Sequence, residues 1–134
     1  MLKVVIDTNV IVSALSSRSK YHWVIELILN EQIEMYVTDE IILEYEEILN
    51  QKYSHVACTL FINALKELPN VKYIKVYYNW VLLKDLDDNK FVDCYVAASA
   101  EYLITNDRGF NILSSINFPK VACVALENFE QLIA

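Results

Sequence analysis

The sequence predicts an α/β domain built on a parallel sheet with helices on both faces. Apolar runs of strand length alternate with longer stretches of helical periodicity along the whole chain. The first run, LKVVI at 2–6, is uninterrupted, as a central strand buried on both faces should be. Gly occurs once, at 109, and Pro twice, at 69 and 119, so the connections are short.

After the strand at 2–6, VIVSAL (10–15) and SKYHWVIELILN (19–30) read as helix, with SSRS between them. MYVT (35–38) is a second strand, and its Thr38 is placed to cap DEIILEYEEILNQ (39–51), whose acids crowd the first turns. HVACTLFINALKEL (55–68) is helical and is stopped by Pro69. YIKVYY (73–78) reads as the third strand. DDNKFVDCYVAASAE (87–101) is a helix capped by Asp87 or Asp88, and YLIT (102–105) a fourth strand. RGFNILSSI (108–116), KVACVAL (120–126) and ENFEQLI (127–133) complete the alternation as helix, fifth strand and helix.

At 134 residues the chain makes one domain with one core, and 55% apolar residues with a mean hydropathy of +0.26 exclude disorder. No apolar run reaches membrane-spanning length, and MLKVVIDTNV lacks the features of a signal peptide, so a cytoplasmic protein is expected. Cys58, Cys94 and Cys123 are far apart with no CxxC spacing, which points to reduced, buried thiols. Two histidines, His22 and His55, are too few for a mechanism that needs several. The net charge of −7 opposes simple electrostatic binding of phosphates but suits a site that collects cations.

The acids fall in telling places. Asp7 follows the first strand and Asp107 the fourth. In an open parallel sheet, ligands bind at the carboxyl ends of strands beside a switch in strand order. If the order is 3-2-1-4-5, these two acids face each other across that crevice. Asp93 lies inside an apolar helix, with Ala97 and Ala100 four and seven residues on and Phe91, Val92, Cys94, Tyr95 and Val96 around it. A carboxylate there needs a basic partner or a shared metal. Glu44 stands at the margin of the face made by Ile41, Tyr45 and Ile48, with Glu46 and Glu47 further into the polar arc. Asp85, Asp87, Asp88 and Asn89 read first as caps and solvated loop. Asp88 is about 140° round a helix from Asp93, so the two do not share a face, yet Asp88 can reach the site from the helix N-terminus. Thr8, Asn9 and Thr105 either satisfy loose backbone groups or orient the carboxylates. Arg18, Lys20 and His22 around the SSRS loop, with Lys90 and Arg108 near the acids, either form a local basic rim for phosphate or are ordinary surface charge.

VVIDTNVIVSAL, TDEIILEYEEIL, DLDDNKFVDCYVAASAEYLITND and RGF, in that order and spacing, resemble a PIN domain, most closely the group of toxin components of toxin–antitoxin systems. The resemblance implies a single-domain α/β/α fold of about five parallel strands in the order 3-2-1-4-5. It implies an endoribonuclease dependent on Mg²⁺ or Mn²⁺, with Asp7, Glu44, Asp93 and Asp107 as the acidic quartet. Asp88 matches a further acid of the subgroup, and Asn9 and Thr105 match supporting polar positions. Where some relatives carry another acid, four residues after the last Asp, this chain has Asn111. An RNA substrate, a cognate antitoxin and a homodimer are the implied partners, and the apolar helices HWVIELIL and HVACTLFINAL offer surface for self-association.

Three other readings compete. A non-catalytic PIN-like interaction module would keep the acids without binding metal. A receiver-like signalling domain needs an acidic pair after the first strand and an Asp after the third, where the chain has a lone Asp7 and YYNW. A dehalogenase-like Mg-dependent phosphatase needs a second Asp where Asn9 stands.

Overall fold

The computed structural model describes residues 1–133. Five parallel strands form one sheet in the order β3-β2-β1-β4-β5: β1 (Lys3–Ile6), β2 (Glu34–Val37), β3 (Val71–Tyr73), β4 (Tyr102–Ile104) and β5 (Cys123–Val124). β1 lies at the centre, in register with Met35 of β2 at Val4 and with Ile104 of β4 at Ile6. Its Val4, Val5 and Ile6 are fully buried, which explains why this run carries no alternation. The order differs from the 2-1-3-4-5 sheet of receiver domains and so removes that reading.

The connections are helical. α1 (Thr8–Ala14) starts one residue after β1 ends, and α2 (Trp23–Leu29) leads back to β2. α3 (Asp39–Lys52) is capped as expected, the Thr38 hydroxyl accepting from the Ile41 N–H at 3.2 Å. α4 (His55–Glu67) is capped by Ser54 in the same way. A 3-10 turn at Leu86–Asp88 runs into α5 (Asn89–Ala98), which ends on Ser99 in the left-handed conformation. Arg108–Ser115 is 3-10 helix throughout, and α6 (Leu126–Ile133) closes the chain.

Two strands depart from expectation. The third covers Val71–Tyr73, not YIKVYY at 73–78. It is an edge strand whose only partner, β2, ends at Val37, so the ladder stops after the Ile74 N–H reaches the Val37 carbonyl at 3.0 Å. The remaining apolar and aromatic residues continue as a loop. β5 contracts to two residues for the same reason, since β4 offers it only Leu103 and Ile104. The cysteines are free, and Cys58 and Cys94 are buried as expected, but Cys123 on this short edge strand is exposed.

The core packs on both sides of the sheet. α3 contributes Ile41, Tyr45 and Leu49, all fully buried, and α5 contributes Phe91, Val92 and Cys94. α2 buries Val24, Ile25 and Ile28, and its Trp23 lies 5.7 Å from Phe129 of α6, centroid to centroid. HWVIELIL therefore spends most of its apolar surface within the domain. On α4, Val56 and Leu60, four residues apart, each remain 67% exposed. No helix among the described residues is long and apolar enough to cross a membrane.

Candidate active site

Asp7 occupies the residue between β1 and α1. Its N–H continues the sheet by donating to the Ile104 carbonyl at 3.0 Å, which pins the backbone at the carboxyl ends of β1 and β4. It stands at the N-cap of α1, yet its side chain caps nothing. Instead Oδ2 accepts from the Thr105 hydroxyl at 2.8 Å. Thr105 in turn accepts from the Asp107 N–H at 3.0 Å, so one hydroxyl fixes both acids relative to each other. Asp107 caps the following 3-10 segment through the Gly109 N–H at 2.8 Å.

Glu44 reaches this place from α3. The Thr8 hydroxyl donates to its Oε2, and Lys90 Nζ lies 2.9 Å from Oε1. This ion pair is largely shielded, with side-chain exposures of 16% for Lys90 and 20% for Glu44. Lys90 is therefore occupied as a counter-ion and is not a free contact for RNA. Thr8 orients Glu44, whereas Thr105 orients Asp7. Tyr45, next to Glu44, is buried and donates its hydroxyl to the Ile6 carbonyl, tying α3 to the end of β1.

Asp88 completes the group. It ends the 3-10 turn before α5, and like Asp7 its carboxylate makes no capping bond. Burial first, then repulsion from Asp85, Asp7, Asp107 and Glu44, pushes its carboxyl up to about 6. Asp7 is raised too, by burial above all, with Asp107 and Glu44 adding repulsion and the Thr105 bond opposing. Asp7, Glu44, Asp88 and Asp107 thus share one field. The group is open: no three His, Cys, Asp or Glu side chains among the described residues close around a common point as a finished metal site.

Asp93 does not join them. Its Oδ1 accepts from the Trp80 N–H at 2.9 Å, and burial raises its carboxyl while that bond lowers it and Glu40 raises it further. It lines a cavity of about 270 Å³ with Thr38, Asp39, Lys75 and Asn79, which the Lys90 side chain, paired with Glu44, also borders. The physical reason is helical phase. Five residues beyond Asp88, Asp93 turns toward the β3–α5 loop and not toward the strand ends. The carboxylate on this apolar helix thus accepts a backbone N–H, and Lys75 and Lys90 line the same cavity.

Of the other polar candidates, Asn9 is exposed and lines a cleft with Ser13, Asn106 and Asp107. Arg108 and Asn111 line another cleft beside Asp107, together with Glu127. Arg18 and Lys20 sit in the α1–α2 loop, beyond the end of α1 that is remote from Asp7, and Lys20 lies 5.0 Å from the centroid of the Tyr21 ring.

The family model described as PIN domain matches residues 3–109, a span that takes in all four clustered acids. The chain belongs to the PIN domain family. Among solved structures, this PIN domain is similar to VapBC2 from Rickettsia felis bound to a DNA fragment from its promoter, with a TM-score of 0.62 at 13% identity over 92% of this chain and 98% of that one. It is also similar to Mycobacterium tuberculosis VapC20, a sarcin–ricin loop cleaving toxin, with a TM-score of 0.57 at 12% identity over 75% of this chain and 86% of that one. At such identities the likeness is one of fold. A search of curated proteins found no significant match.

One residue of this PIN site carries no chemistry of its own and escaped the sequence reading. A Cβ on Gly109 would lie 3.2 Å from Asp107 Oδ1 and 4.0 Å from Asp88 Oδ2. Gly109 is therefore where backbone approaches two of the acids, and its φ is not positive, so the constraint is space and not conformation. Gly109→Ala is expected to shift the Asp107 carboxylate by a few tenths of an ångström. It should cost about three- to tenfold in any activity of the site while moving the melting temperature by less than about 2 °C. Parallel melts and turnover assays of the variant check this.

Proposed function

We propose that this PIN domain is an endoribonuclease dependent on Mg²⁺ or Mn²⁺, acting as the toxin of a toxin–antitoxin pair. The observation that carries the reading is the joining of Asp7 and Asp107 through the Thr105 hydroxyl at the carboxyl ends of β1 and β4, with Glu44 and Asp88 near enough to repel them. Asp93, which the sequence resemblance placed in the quartet, gives way to Asp88. The donor chemistry fits the ion, since all four side chains offer hard carboxylate oxygens and repel one another without a cation. Asp7, Asp88 and Asp107 would hold it. A divalent cation bound there lowers the pKa of water and offsets the charge that grows on phosphoryl oxygens during hydrolysis. Glu44, kept in place by Lys90 and Thr8, orients the attacking water, while Thr105 keeps Asp7 and Asp107 in register. Arg108, exposed beside Asp107, contacts the substrate phosphates.

Digestion of a structured and an unstructured RNA with and without Mn²⁺ tests the activity. Cleavage that needs the ion supports it. Mn²⁺ titration calorimetry that gives no binding heat, together with intact RNA, leaves the non-catalytic interaction module. The similarity in fold to the VapBC2 protein supports a cognate antitoxin, and co-purification with the product of an adjacent reading frame tests for one. Exposed Val56 and Leu60 support a homodimer, which light scattering measures directly. The absence of long apolar helices among the described residues is consistent with the proposed cytoplasmic location.

Metal and pH should act on stability together. Asp88 has a folded-state pKa of about 6, above the ordinary value of 3.8, so the folded protein binds this proton more tightly than the unfolded chain. Its contribution is most favourable below pH ~4 and is lost as pH rises through ~6. The metal-free protein should therefore melt progressively lower across that window, and Asp88→Asn should flatten the decline. Mn²⁺ at a hundred times its dissociation constant should raise the melting temperature at neutral pH by about 10 °C. Melting curves from pH 4 to 8 with EDTA or Mn²⁺ read both effects.

A further inference from the structure

Residues 68–84 contain Lys72, Lys75 and Lys84 and no acid, in a chain whose net charge is −7. All three lysines are exposed. Between them lie Tyr77, 90% exposed, and Tyr78, 65% exposed. Tyr78 stacks edge-on against Trp80 at 4.7 Å between centroids, and Trp80 against Phe118 at 5.5 Å; Phe118 is itself 81% exposed. The C-terminal end of this stretch is anchored. The Trp80 N–H is bound by Asp93, and the Leu82 and Leu83 N–H groups, at 3.1 and 2.9 Å, by Asn89 Oδ1. Between those anchors Val81 is forced to a φ of 50°, a conformation that β-branched residues avoid. Both anchoring side chains belong to α5, the helix that Asp88 immediately precedes.

We propose that the 72–84 segment is a stacking platform for the unpaired bases of a single-stranded RNA on its way to the acidic site. The proposal rests on the nuclease reading above and deepens it by naming the surface that receives the unpaired bases. Aromatic faces take any base, and lysines spaced among them meet the phosphates between bases. The charge of the segment decides between occupants. A second copy docked by two-fold symmetry would set these lysines against themselves, whereas a polyanion is complementary to them. The segment also accounts for Asp93, since a carboxylate buried on α5 is what fixes the loop's direction.

The test uses the full chain carrying Asp7→Asn, so that RNA stays intact, and a labelled twelve-nucleotide single strand followed by fluorescence anisotropy. Adding Tyr77→Ala and Tyr78→Ala should weaken binding about tenfold or more. The same pair of changes should leave unaltered the affinity for an abasic strand of equal length. Lys75→Gln should lower the slope of log affinity against log salt by about 0.7. Both tyrosines are so exposed that their loss does not threaten the fold, and a melt confirms it. Unchanged RNA affinity in the tyrosine variant overturns the proposal, as does equal loss for the abasic strand. Loss of antitoxin binding with RNA affinity intact also overturns it, and reassigns the face to protein. Cleavage by the wild-type protein is scored separately. Mn²⁺-dependent cleavage without tyrosine-dependent binding sinks the platform and spares the nuclease, while the reverse pattern sinks the nuclease and spares the platform.

Discussion

Asp7→Asn should lower Mn²⁺-dependent RNA cleavage by at least about a hundredfold, because loss even of an outer-shell partner of a metal ligand typically costs ten- to a hundredfold. The metal-free variant should melt at or above the wild type. Asp7 is 4% exposed and its carboxyl is raised by burial and by Asp107 and Glu44, so neutralising it relieves repulsion. Asn keeps an oxygen for the Thr105 hydroxyl. Asp93→Asn is the matched control. Its amide oxygen can still accept from the Trp80 N–H, and it stands outside the shared field, so cleavage should stay within about threefold of wild type. The decisive comparison is single-turnover cleavage by the two variants at equal Mn²⁺. A collapse with Asp93→Asn and not with Asp7→Asn would reverse the assignment made here.

Phe91→Ala should be the most damaging core change near the site, costing about 3–5 kcal/mol. Phe91 is fully buried on the first turn of α5, and its ring meets Phe110 edge-on at 6.5 Å between centroids. Phe110 belongs to the 3-10 segment that Asp107 caps. The pair therefore clamps the element that follows Asp88 to the element that follows Asp107. Truncation leaves a void on that seam, and about 10–15 °C of melting temperature should be lost in a domain of this size. Phe91→Leu should lose only about a third of that, since it refills most of the volume. Denaturant titration of the three proteins measures the costs. Cleavage by Phe91→Ala at low temperature, where the protein is still folded, should fall as well, because its two acids are no longer held in register.

The alternation of apolar runs and the unbroken LKVVI were enough to read the sheet, because a strand buried on both faces leaves no room for polar residues. Asp7 and Asp107 were legible from their place at strand ends. Glu44 was visible only as the margin of a helical face; the Thr8 and Lys90 contacts that fix it join residues 36 and 46 positions away. Asp93 was harder to place, because burial of a carboxylate signals that something compensates it, but not what. The compensation is the Trp80 N–H, a group every residue but proline possesses. Asp88 looked like a cap, and only its missing capping bond separates it from one. The third strand was overrun for a related reason. YIKVYY has the composition of a strand, and what ends it is the length of its neighbour.

The bond from Thr105 to Asp7 joins residues 98 positions apart. During synthesis Asp7 is made early, but β1 finds its partner β4, and Asp7 its neighbour Asp107, only when the ribosome has passed residue 107. A nascent or prematurely terminated chain shorter than that carries half a site. On the proposed function, such a chain cannot cut RNA while it is being made. On that reading the strand order works as a timing device, postponing RNA cleavage until the chain is long enough to fold.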